Sequence, residues 1–157
     1  MLYVKELYKS YETGKNKYEV LKGIDFHVPQ GEFVAVMGPS GSGKTTLLNC
    51  ISCYIPFDKG NIRLGGMELA GMNEEELARV RNTKIGFVFQ DFMLLDGLTI
   101  RENILVPRIV QEEVGQEAEK LADQLAAMFG IVHILNKYPA EISGGEKQRA
   151  AVARSLI

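Results

Sequence analysis

Residues 38 to 46 read Gly-Pro-Ser-Gly-Ser-Gly-Lys-Thr-Thr, and no other run in the chain restricts the fold so tightly. Gly38 and Gly43 are separated by four residues and followed directly by Lys44 and Thr45. Every position fits the phosphate-binding pattern G-x-x-x-x-G-K-[ST]. The pattern has a physical basis. Phosphate oxygens need a ring of backbone N–H donors, and a chain wraps that closely only where side chains are absent, here at Gly38, Gly41 and Gly43. Pro39, Ser40 and Ser42 fill the loop between them. Lys44 supplies a mobile positive charge, and the hydroxyl of Thr45 is a ligand for Mg²⁺. Thr46 continues into a helix whose N-terminus adds partial positive charge. Such a loop must follow a strand and open a helix. Phe33-Val34-Ala35-Val36-Met37 predicts the buried strand, and Thr45 to Ile51 predicts the helix start. A Gly/Ser-rich linker would have neither. The loop therefore implies a nucleoside triphosphate with Mg²⁺, without saying what the energy is used for.

The remaining numbers narrow the class. The chain has 157 residues, 46% apolar and 24% charged, which suits one soluble domain. A net charge of −2 argues against a nucleic-acid partner. The longest uncharged runs, Thr45–Phe57 and Gln124–Asn136, are 13 residues each, too short to span a bilayer as a helix. The start of the chain has no signal-peptide pattern, so a cytoplasmic location is expected. Cys50 and Cys53 form a C-x-x-C on the helix after the loop. With no second Cys/His pair in the chain, core packing is the better reading than redox or zinc chemistry.

Along the chain, Leu2–Val4, Tyr18–Leu21 and Ile24–Val28 read as strands, with Thr13-Gly14-Lys15-Asn16 as a turn. A short strand and turn follow over Gly60–Gly66. Asn73 caps a helix to about Arg81, with Glu74, Glu75 and Glu76 complementing its dipole. Lys84–Phe89 predicts a second core-type strand ending at Gln90. Thr99–Glu102 is a capping box, and Pro107 is expected to bend or end the helix it opens. Apolar spacing predicts another helix over about 116–129, Tyr138–Glu141 a loop, and Glu146–Ile157 a last helix. Strands before and helices after about residue 95 point to an α/β core carrying a helical lobe.

Ile142-Ser-Gly-Gly-Glu-Lys-Gln-Arg149 carries two readings at once. Ser143 and Glu146 form a capping box, but this leaves the adjacent Gly144 and Gly145 unexplained. Bare N–H groups at a helix start also attract anions, so Ser143 and the glycine amides are a candidate phosphate contact. Gln90 alone would mean little. Beside a phosphate loop, a polar residue at the end of a neighbouring strand can reach the metal or the attacking water.

Taken in order, the loop, Gly86-Phe-Val-Phe-Gln90 and Ser143-Gly-Gly-Glu-Lys-Gln-Arg149 resemble the ATP-binding subunit of ABC transporters. Gly31–Ala35, Leu47–Asn49 and Leu98–Asn103 are similar to the subgroup serving lipoprotein release, macrolide export and antimicrobial-peptide resistance. The resemblance implies a P-loop NTPase core sheet, an N-terminal antiparallel β region and a helical subdomain. On that basis residues 1–90 and 142–157 belong to the core with its β region, and 91–141 to the helical subdomain. Tyr11 would stack on adenine, with Tyr8 and Tyr18 as rivals. Gly38 to Thr46 would hold ATP, and Thr45 and Gln90 would hold Mg²⁺. Gln90 would also sense the attacking water, and Lys44 would assist its attack. Ser143, Gly144 and Gly145 would bind the γ-phosphate of ATP held by a second ATP-binding subunit, head to tail. The segment from about Asp91 to Leu98 would lie near the groove receiving a transmembrane permease subunit. That permease would hold the protein peripherally at the inner face of the membrane.

Two departures qualify these expectations. The family's usual signature is Leu-Ser-Gly-Gly-Gln, where this chain has Ile142 and Glu146. The carboxylate weakens phosphate binding unless Lys147 or Arg149 offsets it. The chain also ends inside the signature helix, before the strand that bears the family's Walker B Asp and catalytic Glu, and before its switch His. The expectation is the N-terminal portion of a longer ATPase domain, either cut short or a natural fragment. Alone it would expose apolar sheet edges and hydrolyse ATP poorly or not at all. The alternatives are an ATP-binding fragment without turnover and a soluble ABC ATPase outside transport.

Overall fold

The computed structural model describes residues 1–14 and 16–157. Two compact units divide at residue 84, Met1–Lys84 and Ile85–Ile157.

The first unit is built on a long hairpin, β1 (Leu2–Thr13) with β2 (Asn16–Val28). The separate fragments expected over 18–21 and 24–28 are one strand. The expected turn over 13–16 includes Lys15, which lies outside the described residues. β3 (Lys59–Leu64) pairs antiparallel on the other side of β1, and β4 (Met67–Glu68) follows across Gly65-Gly66, giving the order β2-β1-β3-β4. β4 escaped the sequence reading because two residues carry no periodicity. Val4, Leu7, Leu21 and Ile62 are buried in this sheet. α1 (Lys44–Ile51) contacts β2 and buries Leu47 and Cys50.

β1 bulges near Glu6, a non-glycine residue with φ 46°, which breaks the register with both neighbours. Gly60 makes the bulge possible. A Cβ there would lie 2.3 Å from the Glu6 carbonyl oxygen, and its φ is 112°. α1 ends at Ile51, so Cys53 sits just past the helix, not on it. Both thiols are free and buried, as core packing requires. α2 (Glu74–Lys84) starts at Asn73, whose side chain accepts from the Glu76 N–H while Glu76 accepts from the Asn73 N–H. It runs one turn beyond the expected end.

The α/β class holds, but the two expected core strands are not paired. Residues 33–37 and 85–89 form no β-ladder among the described residues. Phe33 is 96% and Met37 89% exposed. A strand exists only by pairing, and the four-stranded sheet uses neither segment.

The second unit is helical. α3 (Ile100–Val110), α4 (Gln116–Met128) and α5 (Gly144–Leu156) pack on one another around Ile100, Ile104, Ala122, Ala126, Ile131, Ile134, Ala150 and Ala153. The alanines leave room for close helix approach, and the isoleucines fill it. Thr99 and Glu102 form the expected capping box. Pro107 neither ends nor interrupts α3, which continues to Val110. The missing N–H costs one bond in a helix already anchored by its cap and by buried Ile104 and Leu105. Tyr138–Glu141 is a loop closed by a 3₁₀ turn over Pro139–Glu141.

Candidate nucleotide site

The 38–46 loop has the backbone that phosphate wrapping demands. Gly41 and Gly43 have φ of 79° and 90°, in the region L side chains avoid. Space is also tight for a side chain at two of the glycines. A Cβ on Gly38 would sit 2.8 Å from Ser42 Oγ, and one on Gly43 would sit 3.0 Å from Val20 Cγ1. Val20 and residues Ser40 to Thr46 line a recess of about 330 Å³. Lys44 Nζ donates to the carbonyl oxygens of Gly38 at 2.8 Å and Pro39 at 2.7 Å, so its charge is held over the loop. Gly43 caps α1 without a side-chain hydrogen bond, and the first turn carries no acid. Its N–H groups and the positive end of its dipole are thus left for an anion.

Among the three tyrosines, Tyr11 is the one within reach of the loop. Its hydroxyl lies 3.5 Å from Thr46 Oγ1, its ring is 42% exposed, and Lys9 Nζ is 5.7 Å from the ring centroid. Tyr8 packs its hydroxyl over Gly23, where even a Cβ would be 2.8 Å away. Tyr18 pairs across the hairpin from Tyr11.

The second unit holds Gln90 and the signature residues. Gln90 is an exposed turn residue, not the end of a paired strand. Ser143 caps α5, where its Oγ donates to Glu146 Oε2 at 2.7 Å and its N–H donates to the same oxygen at 2.8 Å. Gly144 and Gly145 form the exposed first turn. Glu146 carries its negative charge firmly. The Ser143 hydroxyl and N–H, then His133, hold its carboxyl down at about 2. The partner of the carboxylate is His133, whose Nε2 lies 3.1 Å from Glu146 Oε1. Lys147 and Arg149, the neighbours in sequence, do not form that pair. His133 comes from the 3₁₀ turn after α4, and no local spacing could have found it.

The sequence reading also passed over Asn103 and Arg154. Asn103 is fully buried, and its amide holds the loop before α3. It accepts from the Leu95 N–H at 2.7 Å and donates to the carbonyls of Leu95, Leu98 and Thr99. Arg154, on α5, donates to the carbonyls of Phe92 and Met93, each at 2.6 Å.

Comparisons with known proteins agree with this geometry. The family model described as ABC transporter matches residues 21–157. The bacitracin export ATP-binding protein BceA of Halalkalibacterium halodurans is 50% identical over 96% of this chain and 60% of its own length. The ABC transporter ATP-binding protein YxdL of Bacillus subtilis is 48% identical over 100% of this chain and 61% of its own. The methionine import ATP-binding protein MetN of Bordetella avium is 41% identical over 99% of this chain and 43% of its own. The first relatives are thus matched over about 60% of their length. Among solved structures, the dimeric post-hydrolysis state of the ATP-binding cassette MJ0796 bound to ADP and Pi superposes with a TM-score of 0.90. It is 37% identical over 99% of this chain and 69% of its own. Among the described residues no helix is long and apolar enough to cross a membrane. With a family model spanning the phosphate loop, Gln90 and the signature helix alike, the chain belongs to the ABC transporter family, as a part of its ATP-binding domain.

Proposed function

We propose that this chain binds Mg-ATP on the 38–46 loop as part of the ATP-binding subunit of an ABC transporter, driving export or lipoprotein release through a membrane permease. The observation that carries the reading is the loop itself: glycines in forced conformations, Lys44 held over them, and an uncapped α1 start. In this reading the backbone N–H groups of residues 41–46 surround the phosphates. Lys44 exchanges the Gly38 and Pro39 carbonyls for phosphate oxygens, and Tyr11 stacks on the adenine. Thr45 and Gln90 offer oxygen ligands of the kind a hard divalent cation takes. Mg²⁺, when bound, neutralises charge on the outer phosphate oxygens.

Ser143, Gly144 and Gly145 meet the γ-phosphate of ATP held by a second copy. The exposed first turn of α5 supports this, as does the dimeric state named for the MJ0796 cassette. Hydrolysis then opens the pair and moves the permease, which would hold the chain at the cytoplasmic face of the membrane. Export is favoured over import because BceA shares more identity with this chain than MetN does.

Calorimetric titration of the chain with Mg-ATP tests the site. Lys44→Ala should weaken binding at least about tenfold, equivalent to about 1.4 kcal/mol. Gly38→Ala should weaken it, because its Cβ forces the Ser42 hydroxyl to turn away. Unchanged affinity in Lys44→Ala would refute the assignment.

A further inference from the structure

Phe92 and Met93, two and three residues after Gln90, have φ of 63° and 44°. Left-handed backbone at two successive bulky residues is strained unless something holds it. The local hydrogen bonds are Phe92 N–H to Phe89 O and Met93 N–H to Asp91 O. They leave the carbonyls of Phe92 and Met93 for another donor, and both point to the guanidinium of Arg154. Arg154 lies on α5, three turns beyond the signature residues that open the helix. Burial works against its charge and draws its pKa below the ordinary arginine value, with no carboxylate in compensation. A partly buried guanidinium spent on two main-chain carbonyls is unusual, since a planar fork normally finds a carboxylate.

A second contact joins the same two elements. Gly86 packs so closely on α5 that a Cβ would lie 2.3 Å from the Ser155 carbonyl oxygen. The segment is therefore seated on α5 on both sides of Gln90, by Gly86 before it and by the two carbonyls after it.

We propose that Arg154 is a positioning residue that clamps the loop after Gln90 to the signature helix, so that the loop and the helix move as one body. The inference rests on the reading of Gln90 and Ser143–Gly145 as parts of one nucleotide response. It adds the side chain through which a displacement at either is passed to the other. The clamp is specific to a forked donor. Lysine at 154 would reach one carbonyl with one ammonium and would leave the second unpaired.

Hydrogen exchange on the full chain, read by mass spectrometry, tests this. The informative amides are those of Phe92, Met93 and Leu95, all hydrogen-bonded. Arg154→Met keeps the length of the side chain and removes the donors. It should speed exchange at these amides about tenfold or more, the loss of roughly one charge-assisted hydrogen bond, and leave 116–128 and 144–153 unchanged. Arg154→Lys should fall between. On adding Mg-ATP, protection at 92–95 and at 144–156 should change together in the native chain and separately in Arg154→Met. Exchange at 92–95 within about twofold of native in Arg154→Met would overturn the clamp. Uniform acceleration across the unit in both variants would overturn it too, since it would mark a general packing role. Independent responses of the two segments to bound Mg-ATP in the native chain would overturn the coupling. Fluorescent ATP binding, measured in parallel, separates the readings. Its absence sinks the nucleotide proposal, while the exchange data on the free chain still decide the clamp.

Discussion

Asn103 is the most informative single side chain to remove. Its amide accepts from one N–H and donates to three carbonyls in one fully buried position. Two of its partners keep an alternative when it goes. The Leu95 carbonyl also accepts from the Leu98 N–H, and the Thr99 carbonyl accepts from the Asn103 backbone N–H. Asn103→Ala therefore orphans the Leu95 N–H and the Leu98 carbonyl. At about 1–3 kcal/mol for each buried unsatisfied group, and less for half-exposed Leu95, the loss should be about 2–4 kcal/mol. Guanidinium unfolding followed by circular dichroism reads it as a lower midpoint at unchanged slope. Asn103→Asp sharpens the test. One carboxylate oxygen replaces the acceptor for Leu95, and the other meets three carbonyl oxygens. The ionised form is disfavoured, so the folded pKa of the new carboxyl rises above its unfolded value of about 3.9. The protonated form donates as the amide did. Stability is then fully present below about pH 3.9 and lost as pH rises through the folded pKa, leaving Asn103→Asp weakest at neutral pH. Asn103→Ala within about 0.5 kcal/mol of native, or Asn103→Asp with no slope between pH 4 and 7, would refute the bonding described.

Other outcomes follow from the same structure. Gly60→Ala should cost about 2–4 kcal/mol in the first unit, because its Cβ meets main chain and the backbone angle is unfavourable; a loss under 1 kcal/mol would mean the β1 bulge relaxes freely. The Glu146 carboxyl, followed by carbon-13 NMR, should titrate near 2, so its contribution to the α5 cap is present above the ordinary glutamate range and lost as pH falls towards 2. Ser143→Ala should raise that titration further than His133→Gln does; the reverse order would contradict the geometry. Cys50, whose thiol burial pushes up to about 11, should react with a disulfide reagent at pH 8 only at the rate of unfolding. Rapid labelling of the folded chain would show the thiol is not buried.

How much was legible in the sequence follows from the range of each interaction. The phosphate loop, the capping boxes at Thr99 and Ser143 and the amphipathic period of α4 are local. Their partners lie within four residues, and the residue types state the geometry. The buried state of Cys50 and Cys53 followed from composition. Pro107 does not end α3: propensity counts the lost hydrogen bond and cannot weigh the buried core that carries the helix on to Val110. The apolar runs at 33–37 and 85–89 read as strands because hydrophobicity marks what a segment would bury, and pairing depends on which other strands stand beside it. Arg154, His133 and Asn103 carry no motif, because each is defined by carbonyls or a carboxylate that meet it only in space.

The sequence by itself therefore determined where a triphosphate would be cradled, which residues open α3 and α5, and which family the chain resembles. Those properties depend on side-chain absence, charge and spacing along one backbone. Only the tertiary structure decided that His133 balances the signature carboxylate and that Tyr11 reaches Thr46. It alone decided that the loop after Gln90 rests on Arg154. The physical reason is that these contacts join residues 13, 35 and about 62 positions apart, where no pattern in the chain constrains the pairing and packing alone selects it.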